Sequence, residues 1–409
     1  MVLLIAIPPA RQDFPLADDW AFAHGAIWFA HGQGIHYSKW ASMPQLGQWL
    51  WSAPFLLTLS WPHFALRLSV IALSWLGLLS FYDLLRQEKV PARLAGFAAC
   101  VLATNPLFFV SQGTFMTDVP ALSFALLALN AYVRAINSRS LAWLGGAVTL
   151  ALLGVVTRQT VIVVPVVAGL MLLRFAKLRR QPLWWFSVVL PVLVCLGINH
   201  WFGQRTDIIP LHATLRLKAL LFRPFLALHL CGLAILPLSL LTVPRRNWKV
   251  FFASLLCLLL GAALIFRIGK TLPYGGLFPY SIGLLSPWGT YSDALMLGQR
   301  EVLLTQPIRI AITLLGCVGG AEILTALVAA IRAWTIPGFL PLFTLFQFLL
   351  LLTLPPTMDR YFEVLFPGVI LLVVTHIPFR YVVSGVKPKL ALLALGFVWI
   401  AASECLDKD

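Results

Sequence analysis

The sequence predicts an all-α, polytopic transmembrane helical bundle. Its 409 residues are 60% hydrophobic, with a mean hydropathy of +0.89. Only 11% are charged, where a soluble domain carries about 25%. Apolar runs repeatedly reach the roughly 20 residues that a helix needs to cross a bilayer. A transmembrane barrel would instead show short alternating segments, and the sequence has no such pattern.

Taken in order, spans are expected at 64–82, 94–111, 117–135, 141–157, 159–175, 183–202, 225–243, 249–267, 307–331, 335–354, 361–378 and 389–403. The apolar stretch 1–9 reads as the end of one more, giving about 12–13 spans of ~20 residues each. It lacks the basic start and small-residue cleavage site of a signal peptide. The chain reads as a single transmembrane domain over 1–409, with no separate soluble domain and no heptad, solenoid or inverted repeat.

Sidedness follows from the basic residues. Alternate loops hold Arg86, Lys89 and Arg93; Arg134 and Arg139; Arg174, Lys177, Arg179 and Arg180; Arg245, Arg246 and Lys249; Arg332; and Arg380, Lys387 and Lys389. These are more than half of the 30 basic residues, against only Asp83 and Glu88 as acids. Such loops are expected in the cytoplasm. The net charge of +15 is thereby explained without nucleic acid. Six scattered cysteines with no CxxC spacing suggest neither a disulfide framework nor a zinc site.

The opposite loops, expected to face outward, are the unusual ones. The first, 10–62, is predicted to hold two helices lying along the membrane surface. One is 19–29, with Trp20, Ala23, Ile27 and Ala30 on one face; the other is 45–57, rich in Trp49, Trp51 and Phe55. Aromatic residues at this density suit the headgroup zone. The basic amphipathic stretch 211–225 reads as a further surface segment. A long outer loop at 268–306, dense in glycine, proline and tyrosine, reads as an ordered cover over a site.

Charges are costly in a membrane chain and are kept where they are used. Asp18 and Asp19 follow the N-terminal apolar stretch; either could cap the helix that starts there, or the pair could supply a general base and a metal ligand. Asp118, two residues before Pro120, has the same two readings. Arg158 interrupts two spans at a tight turn, as a snorkelling side chain or as a clamp on phosphate. Asp359, Arg360 and Tyr361 open a late span, where the first two could simply pair. Glu322 is a lone acid within a span and reads as a packing residue. His24 and His31, seven apart, and nearby His36 read mainly as interfacial polar residues, with metal ligation the lesser reading.

At these residues the chain resembles the GT-C membrane glycosyltransferases, in particular the group of dolichyl-phosphate-mannose-protein mannosyltransferases and aminoarabinose transferases. The family's acidic pair after the first span corresponds to Ala17-Asp18-Asp19-Trp20. Its Lys-Pro-Pro-Leu stretch corresponds loosely to the segment from Lys39 to Met43-Pro44-Gln45-Leu46. Its later aspartate corresponds to Asp118. Its basic turn corresponds to Gly154-Val155-Val156-Thr157-Arg158, and its Arg-Tyr…Pro pattern to Arg360-Tyr361 with Pro367. The departures are Asp19 for the usual glutamate, Arg158 for lysine, and a degraded Lys-Pro-Pro stretch.

The resemblance implies a transferase that moves a sugar from a polyprenyl-phosphate donor to a glycan, lipid or protein acceptor, with inversion. Asp18 would be the base. Asp19 and Asp118 would hold a divalent cation such as magnesium or manganese. Lys39, Arg158, Lys270, Arg360 and Tyr361 would contact the lipid phosphate or donor. The compact loops point to a bacterial cytoplasmic membrane, with the active site facing outward. A transporter or flippase of an anionic substrate is the competing reading. It would place charges near mid-membrane on broken helices, whereas here they gather at one face.

Overall fold

Proline and short polar side chains decide where the apolar runs become helices. The computed structural model describes residue 13 and residues 19–41, 43–208, 217–241, 247–269, 306–332, 338–352 and 359–376. Asp18, Lys270, the outer loop over 270–305 and the expected spans at 1–9 and 389–403 lie outside these residues. Within the described residues every regular element is helical.

The two expected surface helices are present as α1 (Asp19–Ala30) and α2 (Leu46–Thr58). The face that α1 buries differs from the expected one. Asp19, Phe22, Ala23 and Ala26 are buried and Trp20 is exposed. Those four positions follow the i, i+3, i+4, i+7 spacing of one helical face, and the inward-facing carboxylate of Asp19 selects that face. Helix α3 (Pro62–Gln87) begins with proline at its first position, where no N–H is lost. Asp13 Oδ1 accepts the backbone N–H groups of His63 and Phe64 at 2.7 and 3.2 Å, capping that end.

The expected span 94–111 is divided into α4 (Ala92–Ala103) and α5 (Pro106–Gln112). Asn105 and Pro106 make the break: proline has no N–H to continue the helix and disfavours it at the residue before, and Asn105 Oδ1 accepts the N–H of Leu107 at 3.0 Å. Then come α6 (Asp118–Ser138) and α7 (Leu141–Thr157), followed by a 3-10 turn (Gln159–Ile162) that leads into α8 (Val163–Leu172). Helix α9 (Pro182–Gly203) follows. The rest are α10 (Leu217–Leu241), α11 (Trp248–Gly269), α12 (Gln306–Arg332), α13 (Phe339–Leu351), a 3-10 segment (Asp359–Leu365) and α14 (Phe366–His376). Of the expected surface stretch 211–225, the described part is the opening of α10 and not a separate helix.

Among the described residues, Pro62–Gln87, Asp118–Ser138, Pro182–Gly203 and Leu314–Arg332 are long and apolar enough to cross a membrane. Shorter apolar helices such as Leu141–Thr157 and Trp248–Ala263 stand where other spans are expected. The chain is an integral membrane protein, and its described residues form helices alone.

The helices divide into two units. The first takes in 1–88, 110–212 and 338–343; the second takes in 89–109, 213–337 and 344–409. In the first, α6 packs on both α3 and α7, α9 packs on α7, and α2 packs on α1, α3 and α7. Helices α3 and α6 run the same way: Gly77 lies against Ser123, and Asp83 meets Arg134 further along. In the second unit α12 packs on α10, α11 and α14. Its close approach is made by Gly232 against Gly316 and Gly319, where a Cβ would strike backbone. Phe251, Leu258, Cys317 and Ala321 form a core there.

Candidate functional site

The first unit carries charge at both ends of the α3–α6 pair. At one end Asp83 Oδ2 accepts Arg134 Nε and Nη2 at 3.0 and 2.8 Å and Gln87 Nε2 at 2.8 Å. The same Gln87 amide donates to Asn130 Oδ1 at 2.7 Å. This end holds the basic residues expected in the cytoplasm.

The other end holds the candidate site, and Arg67 stands about 24 Å of helical rise from Asp83. Asp19, in the first turn of α1, has its Oδ2 3.8 Å from Arg67 Nη2, and both side chains are 1% exposed. The same oxygen accepts the N–H of Phe115 at 3.4 Å. Phe115 lies in the short turn that leads to Asp118, the first residue of α6. The helix cap, Thr117, uses its hydroxyl on the sulfur of Met43 at 2.6 Å instead of on the helix. The Asp118 carboxylate turns to Arg158: its Oδ1 accepts from Nη1 of that residue.

Arg158 reaches Asp118 because α7 runs back antiparallel to α6 and ends at Thr157. Arg158 follows in extended backbone, its N–H bonded to Gly154 O at 2.9 Å and its carbonyl accepting Val161 N–H at 3.0 Å. It is 8% exposed and Asp118 7%. A buried pair of this kind is held by mutual need, since either charge alone would be strongly penalised.

Helix α2 closes against this turn. Gln45 donates its backbone N–H to Thr157 O at 3.2 Å, and Gln48 Nε2 donates to Met116 O at 3.4 Å. Gly47 permits the contact: a Cβ there would strike the carbonyl of Leu153 and lie 2.5 Å from Thr157 Oγ1. The loop before α2 is braced by Tyr37, whose hydroxyl donates to Pro44 O at 2.5 Å. Arg205 stacks on the Tyr37 and Trp201 rings at 4.9 and 5.2 Å. Its guanidinium also donates to both oxygens of Asp207, at 2.8 and 2.6 Å. That hydrogen bond holds the Asp207 carboxyl below its ordinary value, and burial raises the Tyr37 phenol above its own.

The structure thus brings Asp19, Asp118 and Arg158 to one end of the unit, with Asp19 and Asp118 flanking the same turn. Lys39 is exposed in the loop before α2. Arg360 and Tyr361 lie in the 3-10 segment of the second unit, where only their backbone is described. The three histidines are used locally. His24 stacks on Trp28 and His36 meets the edge of Trp28; His31 Nδ1 pairs with Ile27 O and His36 Nε2 with Gln33 O, both at 2.8 Å. Among the described residues no three His, Cys, Asp or Glu side chains gather as a metal site. Asp19 and Asp118 each face an arginine, so these two alone do not complete the six or more oxygen ligands a hard cation takes.

Sequence reasoning passed over Arg67 and the two glutamines of α2. Arg67 had a usable signal, being a charge in the first turns of an apolar span. Gln45 had only its place in the stretch that resembles the family's Lys-Pro-Pro-Leu motif, and Gln48 had none, because a neutral amide is unremarkable in a surface helix.

The family model of dolichyl-phosphate-mannose-protein mannosyltransferases matches residues 42–201. That stretch contains Gln45, Arg67, Asp118 and Arg158, and it bears out the resemblance read from the motifs. Among solved structures, ArnT from Cupriavidus metallidurans in the apo state aligns with a TM-score of 0.48 at 13% identity. The same protein bound to undecaprenyl phosphate aligns at 0.49 and 14%. Each alignment covers 98% of this chain and 63% of the other, so the chain spans less than two thirds of their length. No curated protein matches the chain.

Proposed function

We propose that the protein is an integral-membrane glycosyltransferase that takes a sugar from a polyprenyl-phosphate donor and passes it to a hydroxyl or amine acceptor at the outer face of the membrane. The observation that carries this reading is the buried Asp118–Arg158 pair beside the buried Asp19–Arg67 pair, both within or against the stretch that matches the mannosyltransferase family. Buried charge at one helix end, some 24 Å from the Asp83–Arg134 cluster, suits a reaction at a membrane surface. The basic residues at the Asp83 end support an outward orientation for the other, in a bacterial cytoplasmic membrane.

In this reading the acceptor loses its proton to the carboxylate of Asp18, the neighbour of a residue already committed to Arg67. The acceptor oxygen or nitrogen attacks the anomeric carbon from the face opposite the phosphate. The bond from that carbon to the phosphate oxygen breaks, its electron pair stays on the phosphate, and configuration inverts. Charge gathers on the departing phosphate, so a fixed cation there stabilises the transition state more than the bound donor. Arg158 is suited to this because its planar guanidinium presents forked donors that match a phosphate and Asp118 fixes its position. Lys39, Lys270, Arg360 and Tyr361 are proposed donor contacts on the strength of the resemblance. A divalent cation would need ligands beyond Asp19 and Asp118, and no step is routed through one.

The test is a panel of radiolabelled polyprenyl-phosphate sugars offered to the purified protein in nanodiscs, with Asp18→Asn alongside. Loss of label from one lipid in the wild type only is the expected result. Loss of label in neither protein across the panel would refute the enzyme reading, and equal loss in both would remove Asp18 as the base.

A further inference from the structure

The start of α2 holds more unmet hydrogen-bonding capacity than the donor-phosphate reading uses. Gln45 stands at the helix N-cap in the left-handed region, at φ 60°, and its side chain does not cap the helix. That side chain is 1% exposed, yet neither its Nε2 nor its Oε1 has a partner. Gln48 is equally buried, and its Oε1 has none; Trp49 is equally buried, and its indole Nε1 has none. Buried polar atoms are nearly always bonded, so four orphans within one turn call for an explanation. Gln48 and Trp49 lie in the first turn of α2, and Gln45 is the residue that opens it.

The mixture of these atoms selects the ligand. Gln45 offers a donor and an acceptor, Gln48 an acceptor and Trp49 a donor. A phosphate can only accept, and the two amide oxygens would repel it. A metal cation would leave both N–H groups unmet. A hydroxyl donates and accepts at once, so the set fits a polyol. Its position fits as well: Gln45 is bonded to Thr157, the residue before Arg158, and Gln48 to Met116, two residues before Asp118. A sugar linked to a phosphate at Arg158 would lie within reach of these atoms.

We propose that Gln45, Gln48 and the Trp49 indole N–H read the hydroxyls of the donor sugar and so set which sugar is taken; this rests on the glycosyltransferase reading above. A site built to bond a hydroxyl rejects a ligand that lacks it, because its own polar groups are then left unmet. The test measures binding in nanodiscs to bare undecaprenyl phosphate and to its mannosyl, glucosyl and aminoarabinosyl derivatives, with transfer assayed in parallel. Wild type should prefer at least one glycosylated lipid about tenfold or more over the bare lipid. Gln45→Met and Gln48→Met, close in shape to glutamine, should each reduce that preference about tenfold, the worth of a hydrogen bond or so, and leave bare-lipid affinity within about twofold. The ligand-free Gln45→Met protein should melt no lower than wild type, because it has lost two orphans and no bond.

Intact transfer with an unchanged preference would overturn this assignment alone. So would an equal fall for bare and glycosylated lipid, or a loss confined to thermal stability, which would mark a buried water or a packing role. Absence of transfer from every donor in the wild type would overturn the enzyme reading and this assignment with it.

Discussion

The carboxylate of Asp118 and the guanidinium of Arg158 meet across 40 residues of sequence, at the point where α6 begins and α7 ends. The pairing needs an antiparallel return, a helix that stops at Thr157 and a helix that starts at Asp118. It therefore registers two helix ends against each other as well as placing a fixed cation.

Removing one member should show both roles. Arg158→Gln leaves a buried carboxylate without its cation, and stability should fall by about 3–5 kcal/mol. Adding Asp118→Asn should restore much of that stability, because two neutral amides replace a stranded charge. Transfer should stay depressed by about 100-fold or more in the single and the double variant alike. Thermal melting and donor turnover, measured on the same preparations, separate the two effects. Recovery of turnover in the double variant would reduce the pair to a structural one.

The adjacent aspartates should behave differently from each other. Asp19 is buried at 1% beside Arg67 and receives the Phe115 N–H. Asp19→Asn takes the negative charge from beside a buried guanidinium, so melting temperature should drop and turnover should fall with it. Asp18→Asn should abolish transfer with little change in melting or in lipid binding, as expected of a general base. A protein melted equally by both substitutions would reveal two structural aspartates.

The helices were legible because apolar runs of span length leave few alternatives. The expected spans at 64–82 and 183–202 each lie within an observed helix, and that at 117–135 starts one residue before its helix. The split at Asn105 had a signal that the apolar run masked, since Pro106 cannot continue a helix and disfavours it at the residue before. The buried face of α1 was not legible, because the charged residue on it, Asp19, meets a partner, Arg67, that is distant in sequence. Asp118 and Arg158 could be assigned to one side by counting spans. That they touch could not be read, because contact depends on register between helices. The two glutamines of α2 become visible only when burial and bonding are known atom by atom.

Charge compensation by arginine also bears on metal dependence. Arg67 and Arg158 stand beside Asp19 and Asp118, the two carboxylates the resemblance assigns to a cation. A guanidinium supplies positive charge and paired donors without dissociating. Transfer should therefore survive exhaustive chelation, with turnover within about twofold, a change of under about 0.5 kcal/mol in barrier. Collapse of turnover on chelation, restored by magnesium or manganese, would mean that further oxygen ligands complete a centre around these aspartates.

The approach of α2 to α7 can be tested by a single methyl group. At Gly47 a Cβ would run into the Leu153 carbonyl and Thr157 Oγ1. Backbone of a packed helix cannot move aside as a side chain can, so Gly47→Ala should destabilise the protein by about 1–3 kcal/mol. It should also lift Gln45 and Gln48 away from the Arg158 turn, lowering transfer beyond what the loss of folded protein explains. Gly145 lies in α7 itself, and a Cβ there meets no heavy atom within 4 Å. Gly145→Ala should stabilise the protein slightly, by up to about 1 kcal/mol, through helix propensity alone. Melting curves of the two variants in one detergent compare steric overlap with helix propensity. If Gly47→Ala melts with Gly145→Ala, the two helices do not approach as described, and the link from α2 to the arginine turn fails.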